Sequence, residues 1–378
     1  MATIIDRNPS PPATHVFVIG VGQYRHLPGG SKKPTGDTLG MQQIDMPPRS
    51  VRSFVDWLVA DYRNEDAPLG SIELLASSSP GPFQYRVPGG TAKTVEAATT
   101  PRVMDAFERW YEKCNKHVNN VAIFYFCGHG VNRGVNSYLL LEDWGAHANN
   151  PMHESIDLLR FQAGMKQCRA QTQFFISDAC RVAPWAIMTS ESQLGQPLIV
   201  PDSSKSRKNQ NSTIVYAAGE GLSAFGEKSK QTYFTRAFIA ALEGAAAERD
   251  VDRNGWRVNS WNLVEVTSKL LQWRLGGIQS ASLGGDSRNT LFTMLHKTPM
   301  VPVDVKCEPP AASRFAALTL ACPHYSFGRS PELGTWELTA PICNDYLLAA
   351  TFRANRYRSF DLEVGVTPPL QIFTVTAQ

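Results

Sequence analysis

Apolar residues fall along this chain in short unbroken runs separated by stretches of helical spacing. Val16-Phe17-Val18-Ile19-Gly20-Val21, Ile72-Glu73-Leu74-Leu75, Ala122 to Cys127, Gln173 to Ile176 and Thr213 to Ala218 have the length and continuity of buried strands. Between them, Val51, Phe54, Val55, Leu58 and Val59 predict a helix over 51–62, after Pro47-Pro48. Thr100-Pro101 opens a second helix that runs to about His117, with Thr at the N-cap and Pro at the first helical position. Helical spacing returns at 156–169, Phe234 to Leu242 and Leu263 to Trp273, and short strands are expected at Ser137 to Leu141 and Thr290 to Met294. Strands alternating with helices predict an α/β fold, a mostly parallel sheet flanked by helices on both faces, over 14–298. Residues 1–13, polar and carrying Pro9, Pro11 and Pro12, are expected to be a flexible N-terminus. The run 189–212 is rich in Ser, Gln, Pro, Lys and Arg without an apolar period, and is expected to be mobile. After Pro299 the texture changes to short alternating runs such as Phe360 to Val366, which predict a small β-rich domain over 300–378.

Composition narrows the function classes. With 378 residues, 43% apolar and 19% charged, the chain can bury a large core. A net charge of +3 without a basic stripe gives no footprint for nucleic acid or for a membrane surface. The N-terminal residues lack an apolar signal region, and no apolar stretch approaches the roughly 18 residues of a membrane span. The seven cysteines are scattered and lack CxxC spacing, as free thiols of a reducing compartment would be; a cytoplasmic location is expected.

Two of the strands end on reactive side chains. Ala122 to Cys127 runs into Gly128-His129-Gly130, and Gln173 to Ile176 into Ser177-Asp178-Ala179-Cys180-Arg181. In an open parallel sheet, chemistry collects at the carboxyl ends of the strands. If these two strands are neighbours, imidazole and thiol face one crevice, and a thiolate beside a His is a nucleophile. The two glycines leave room for a peptide to approach His129. The backbone N–H groups of Gly130 and Cys180 are the candidate oxyanion donors. Asp178, two residues before Cys180, points to the same side and is a candidate for the wall of a substrate pocket. The whole points to a cysteine endopeptidase.

His129 precedes the Ala179-Cys180 pair by about fifty residues, the spacing of caspases. On Gly-His-Gly and Asp-x-Cys, together with the opening strand, Tyr138 to Asp143 and Tyr233 to Phe238, the chain resembles caspase-like peptidases (clan CD, peptidase C14) over about 14–296. It is nearer to bacterial, metacaspase-type members. The resemblance implies a His129–Cys180 dyad that cleaves peptide bonds without a metal, and a basic P1 residue bound with the help of Asp178. The family usually has Ser where this chain has Cys127, and often an Asp near the first helix, where it reads Met46-Pro-Pro-Arg-Ser50 with Asp45 beside it. Cys127 and Asp45 are therefore candidate pocket residues alongside Asp178. The resemblance also implies a zymogen cut in the loop 189–212, with Lys205, Arg207 and Lys208 as candidate processing sites. The implied partners are a protein substrate and an upstream protease or activator protein, in a bacterial defence or stress circuit. The alternative is a catalytically weak scaffold that binds partners through the β-rich domain.

Weaker signals carry less. Asp250, Asp252 and Asn254 match the first half of an EF-hand calcium loop, but its twelfth position is Trp261 and not Glu. An Asx turn between two helices is the expected structure there, and no cofactor is expected. Gly20-x-Gly22 is expected to be a strand-end turn. His15, His26, His117, His147, His153, His296 and His324 show no pairwise metal spacing, and Trp256, Trp261 and Trp273 are expected in the core.

Overall fold

A computed structural model describes residues 2–7, 10, 12–150, 152–189, 195–286, 288–353 and 356–378. The apolar runs form the centre of a seven-stranded sheet. Its strands are β1 (Thr3–Asp6), β2 (Thr14–Val21), β3 (Leu69–Ser77), β6 (Val121–Gly128), β10 (Thr172–Ala179), β11 (Asn211–Tyr216) and β14 (Ser282–Asp286), in the order β1-β3-β2-β6-β10-β11-β14. The five inner strands are parallel and the two edge strands antiparallel. Parallel strands need both faces covered, which is why they read as continuous apolar runs. Helices α1 (Met46–Ala60), α5 (Tyr233–Ala240) and α6 (Ser260–Leu275) cover one face around Val16, Val18 and Tyr125. Helices α2 (Thr100–Cys114) and α3 (Leu158–Met165) cover the other around Phe17, Phe124 and Phe175. The connection after β2 moves to one side of it and the next crosses to the other, so the topological switch point lies between β2 and β6. That is where such sheets bind ligands.

Several expectations change here. Within the run expected to be a flexible N-terminus, Thr3–Asp6 pairs with β3, and Thr3 bonds the fully buried Glu73. The strand's buried apolar pair, Ile4-Ile5, is too short a run to stand out as a strand in the sequence. The glycine-containing Ser-Leu-Gly-Gly-Asp run closes the opposite edge as β14. The strand expected at 290–294 is β15 (Leu291–Leu295), but it belongs to a separate antiparallel sheet with β12 (Glu248–Asp250) and β13 (Gly255–Asn259). The half calcium motif is the turn of that β12–β13 hairpin and lies between strands, not helices. Asp250 Oδ1 accepts from the N–H groups of Asp252 and Arg253 (3.1 and 3.2 Å), and Arg257 faces its other oxygen at 3.5 Å. Trp261 is exposed, and Trp256 lies under the Arg249 guanidinium.

The run 195–212 is held in place: Gln196 bonds the backbone of Ser155 and Asp157, Gln167 Nε2 donates to Val200 O, and Arg207 bonds Lys166 and Gln167. The expectation of mobility came from composition; these bonds are long-range and leave no local pattern. Residues 190–194 of that run lie outside the described residues.

Residues 300–378 form two packed antiparallel-rich sheets. One has the order β19 (Trp336–Pro341), β16 (Met300–Glu308), β22 (Gln371–Thr376). The other is β18 (Tyr325–Arg329), β17 (Ala316–Cys322), β20 (Cys343–Phe352), β21 (Phe360–Val366). They enclose their own core around Val303, Val305, Leu320, Tyr346 and Leu348. Trp273 of α6 docks against this unit, donating to Asp304 Oδ2 (2.9 Å) beneath Lys306. No helix among the described residues is long and apolar enough to cross a membrane.

Candidate active site

Strands β6 and β10 are hydrogen-bonded neighbours in parallel register, Asp178 opposite Cys127 and Ala179 opposite Gly128. His129 and Cys180 therefore leave the sheet at the same level, side by side. The two strand ends are in close contact. A Cβ on Gly130 would lie 2.7 Å from Cys180 O and 2.9 Å from Ala179 Cβ, and one on Gly128 would lie 2.9 Å from the Tyr24 hydroxyl. Glycine is required at both places by the space available. After Gly130 the chain becomes β7 (Gly130–Arg133), which pairs with β8 (Asn136–Leu140); β8 in turn pairs with β9 (Ser155–Asp157). Leu140 N donates to His129 O and Gly130 stands opposite Leu139. In the antiparallel alternation this turns the Gly130 N–H away from β8, toward the crevice side.

The imidazole is fixed from two sides. The His129 N–H donates to the buried Tyr24 hydroxyl (2.7 Å), whose ring packs against the imidazole with centroids 4.9 Å apart. The Nε2 atom lies 2.7 Å from Gln42 O. A carbonyl can only accept, so Nε2 carries the proton and Nδ1 holds the free lone pair. Gln43 anchors this segment by bonding both the N–H and the carbonyl of Tyr24. Burial holds the imidazole below its ordinary pKa, partly offset by the Gln42 carbonyl.

The thiol is engaged by the backbone of Ala224. Ala224 N–H donates to Cys180 Sγ at 3.3 Å, and Sγ–H points to Ala224 O at 3.6 Å. Burial raises the thiol pKa, the Ala224 contact lowers it, and the Asp178 charge raises it. Burial thus pushes the thiol up and the imidazole down, away from the thiolate that a Cys beside a His can form. Desolvation disfavours both charges.

Asp178 is fully buried, beneath the crevice floor. Its Oδ2 accepts from Thr232 Oγ1, Thr235 Oγ1 (2.7 Å), Tyr125 OH (3.3 Å) and Cys127 Sγ (3.4 Å), while Oδ1 is buried with no partner. Burial raises its pKa, and the Thr232 and Thr235 hydroxyls oppose that rise. Cys127 has no exposed surface; it supports Asp178 and does not line an open pocket. Asp45 stands apart at the start of α1, accepting from Ser229 N (2.8 Å) and Oγ (3.3 Å). It lines an open cleft of about 650 Å³ with Gln43, Met46, Arg49, Gly226 and Lys228. Gln43, next to the Gln42 that bonds His129, is one of the cleft's walls, but His129, Cys180 and Asp178 are not. The three candidate pocket residues thus separate, two buried together and one on the cleft. Lys205, Arg207 and Lys208 are exposed, Arg207 held at the C-terminal end of α3 by Lys166 and Gln167 and Lys205 paired with Asp202 (3.2 Å).

Tyr24, Gln42, Ala224, Thr232 and Thr235 were not legible as site residues. Only Thr232 left a local signal, as the N-cap whose side chain accepts from Thr235 N. Two histidines without pairwise metal spacing in the sequence, His147 and His153, converge on Glu154, their Nδ1 atoms both directed at its Oε1.

Residues 81–260 match the family model described as the caspase domain of peptidase family C14. The uncharacterized protein y4kE of Sinorhizobium fredii is 27% identical over 215 residues, 56% of this chain; the match spans only 60% of that relative's length. Caspase-1 from Spodoptera frugiperda aligns with a TM-score of 0.45 at 11% identity, covering 79% of this chain and 99% of its own. Protein GSU0716 from Geobacter sulfurreducens aligns at 0.42 and 10% identity, covering 73% and 94%.

Proposed function

We propose that this chain, which carries a caspase-like domain of the C14 peptidase type, is a cysteine endopeptidase with Cys180 as nucleophile and His129 as base. The observation that carries this reading is the β6–β10 register, which brings the two side chains out of the sheet at one level. In the reaction, His129 Nδ1 takes the thiol proton as Sγ attacks the scissile carbonyl, then gives it to the leaving amine. Water hydrolyses the thioester with the same imidazole as base. Gln42 O keeps the required tautomer throughout. The N–H groups of Gly130 and Cys180 are the donors for the developing oxyanion.

We assign the P1 preference to Arg or Lys. Its support is the unpartnered Oδ1 of Asp178, a buried carboxylate oxygen two residues from the nucleophile that a cationic side chain would satisfy. Activation by an upstream protease or activator protein, in a defence or stress circuit, fits a thiol whose hydrogen points to Ala224 and not to His129. The same contact is the one observation that favours a binding scaffold without catalysis.

The test is cleavage of fluorogenic peptides with Arg, Lys, Asp or Leu at P1, by wild type, Cys180→Ala and Asp178→Asn. Cuts after Lys205, Arg207 and Lys208 would be followed by mass spectrometry. Turnover of Arg or Lys peptides that falls by about a thousandfold or more in Cys180→Ala is expected. Equal cleavage by wild type and Cys180→Ala would sink the enzyme reading. Cleavage after Asp or Leu, unaffected by Asp178→Asn, would remove the pocket role of Asp178. Silence of every preparation, including protein nicked in 195–212, would favour the scaffold.

A further inference from the structure

Outside the dyad, the loop between β8 and β9 gathers two imidazoles and a carboxylate. The ligand atoms of His147, His153 and Glu154 all lie within 4.8 Å of one another. Both Nδ1 atoms address a single oxygen, Glu154 Oε1, His153 at 3.0 Å, and the two rings stand 4.8 Å apart between centroids. The carboxylate is 2% exposed, and its second oxygen, Oε2, is buried with no partner. The imidazoles face solvent, their side chains 61% and 44% exposed. Two donors crowded on one oxygen while its twin goes unpaired is a poor arrangement for hydrogen bonding alone. It is a good one around a cation, which draws on the charge of both oxygens.

From these contacts we infer that His147, His153 and Glu154 form a binding site for a divalent transition metal, zinc foremost. Two imidazole nitrogens and one carboxylate oxygen suit zinc and its neighbours, whereas calcium and magnesium prefer oxygen alone. A tetrahedral zinc with bonds of about 2.0–2.2 Å spaces its ligand atoms about 3.3–3.5 Å apart, inside the 4.8 Å within which these ligand atoms already lie. Solvent supplies the fourth ligand from the exposed side.

The loop is built to hold such a set. Successive backbone bonds close it: Trp144 N to Leu141 O, Ala146 N to Asp143 O, Asn150 N to His147 O and His153 N to Asn150 O. Leu141 N donates to Glu154 O, joining its two ends. The loop also abuts the segment that supplies Tyr24 and Gln42 to His129, through the Arg25–Glu142 ion pair (2.7 Å) and the bond from Thr35 to Gly145 O. A bound metal would brace that segment from behind.

The site stands independently of the peptidase reading and is tested without activity. The full chain carrying Cys180→Ala, which removes the reactive thiol as a competing ligand, is titrated with cobalt and then competed with zinc. One cobalt per chain is expected, with visible d–d bands and without a thiolate charge-transfer band. His147→Ala and His153→Ala should each weaken uptake at least about tenfold, and zinc should raise the melting temperature of the parent but not of these variants. Both imidazoles are on the surface, so these variants keep the fold; Glu154→Gln is a third arm. Equal affinity in parent and histidine variants, a thiolate signature, or no uptake at micromolar metal would overturn the assignment.

Discussion

His129 and Cys180 are each pushed toward the uncharged state by burial, the imidazole down and the thiol up from their ordinary values. A neutral pair has a distinct pH signature. The base is the neutral imidazole, and its lowered pKa keeps it unprotonated to lower pH, so the acid limb of kcat/KM should fall below the ordinary histidine value of about 6.5. The alkaline limb, set by loss of the thiol proton, should lie above the ordinary cysteine value of about 8.5. A pre-formed thiolate–imidazolium pair would behave otherwise, with thiolate ultraviolet absorbance at neutral pH that Cys180→Ala abolishes. Such absorbance in the resting protein would overturn the neutral-pair assignment. Reaching the transition state then costs a proton transfer within the site, which puts a premium on the bond from His129 to Gln42 that keeps Nδ1 free.

At the scale of elements, the site depends on how closely two strand ends approach. Because a Cβ at Gly130 would meet Cys180 O at 2.7 Å, Gly130→Ala must spread β6 from β10 or turn one end aside. Misplacement on that scale should lower kcat about ten- to hundredfold in steady-state kinetics on the best substrate. Gly36→Ala is the control, since nothing lies within 4 Å of its added methyl; unchanged kcat in Gly130→Ala would show that the approach does not matter. The same elements show what the sequence could disclose. The inner strands were legible because burial on both faces leaves an unbroken apolar run, and the His and Cys were legible because they end such runs. The edge strands β1 and β14, short or glycine-containing, left no such trace, nor did β12 and β13; β15 was legible as a strand, but its pairing with β13 joins distant segments and was not. Tyr24, Gln42 and Ala224 act through backbone groups or single hydroxyls placed by long-range packing, which no local spacing encodes. His147 and His153 were dismissed on spacing because a loop, unlike a helix, sets no regular interval between ligands.

At the scale of the whole molecule, the central sheet carries a charge liability on its α2 side. His15 of β2 is 7% exposed, its Nδ1 2.9 Å from Ser71 Oγ, and its pKa is lowered to about 4. The causes are burial first, then the positive charges of Lys113 and Lys116, with Asp6 acting in the opposite sense. In the unfolded chain the same imidazole titrates near 6.5. Between these two values the unfolded state binds the proton and the folded state does not, so protonation favours unfolding. The stabilising contribution of the neutral imidazole is complete above the unfolded value and is lost as pH falls through the folded one. From about pH 7 to pH 4 the loss is about 3 kcal/mol, at 1.36 kcal/mol per unit. Other carboxylates also titrate over this range, so the measurement is a difference between two proteins. Urea unfolding of wild type and His15→Gln, which keeps a polar partner for Ser71 without a titrating group, should diverge as pH falls. The variant should lose about 3 kcal/mol less stability over that interval. Parallel curves would mean that His15 takes up its proton equally in both states, and that the lysines of α2 and the loop after it do not bear on the sheet they cover.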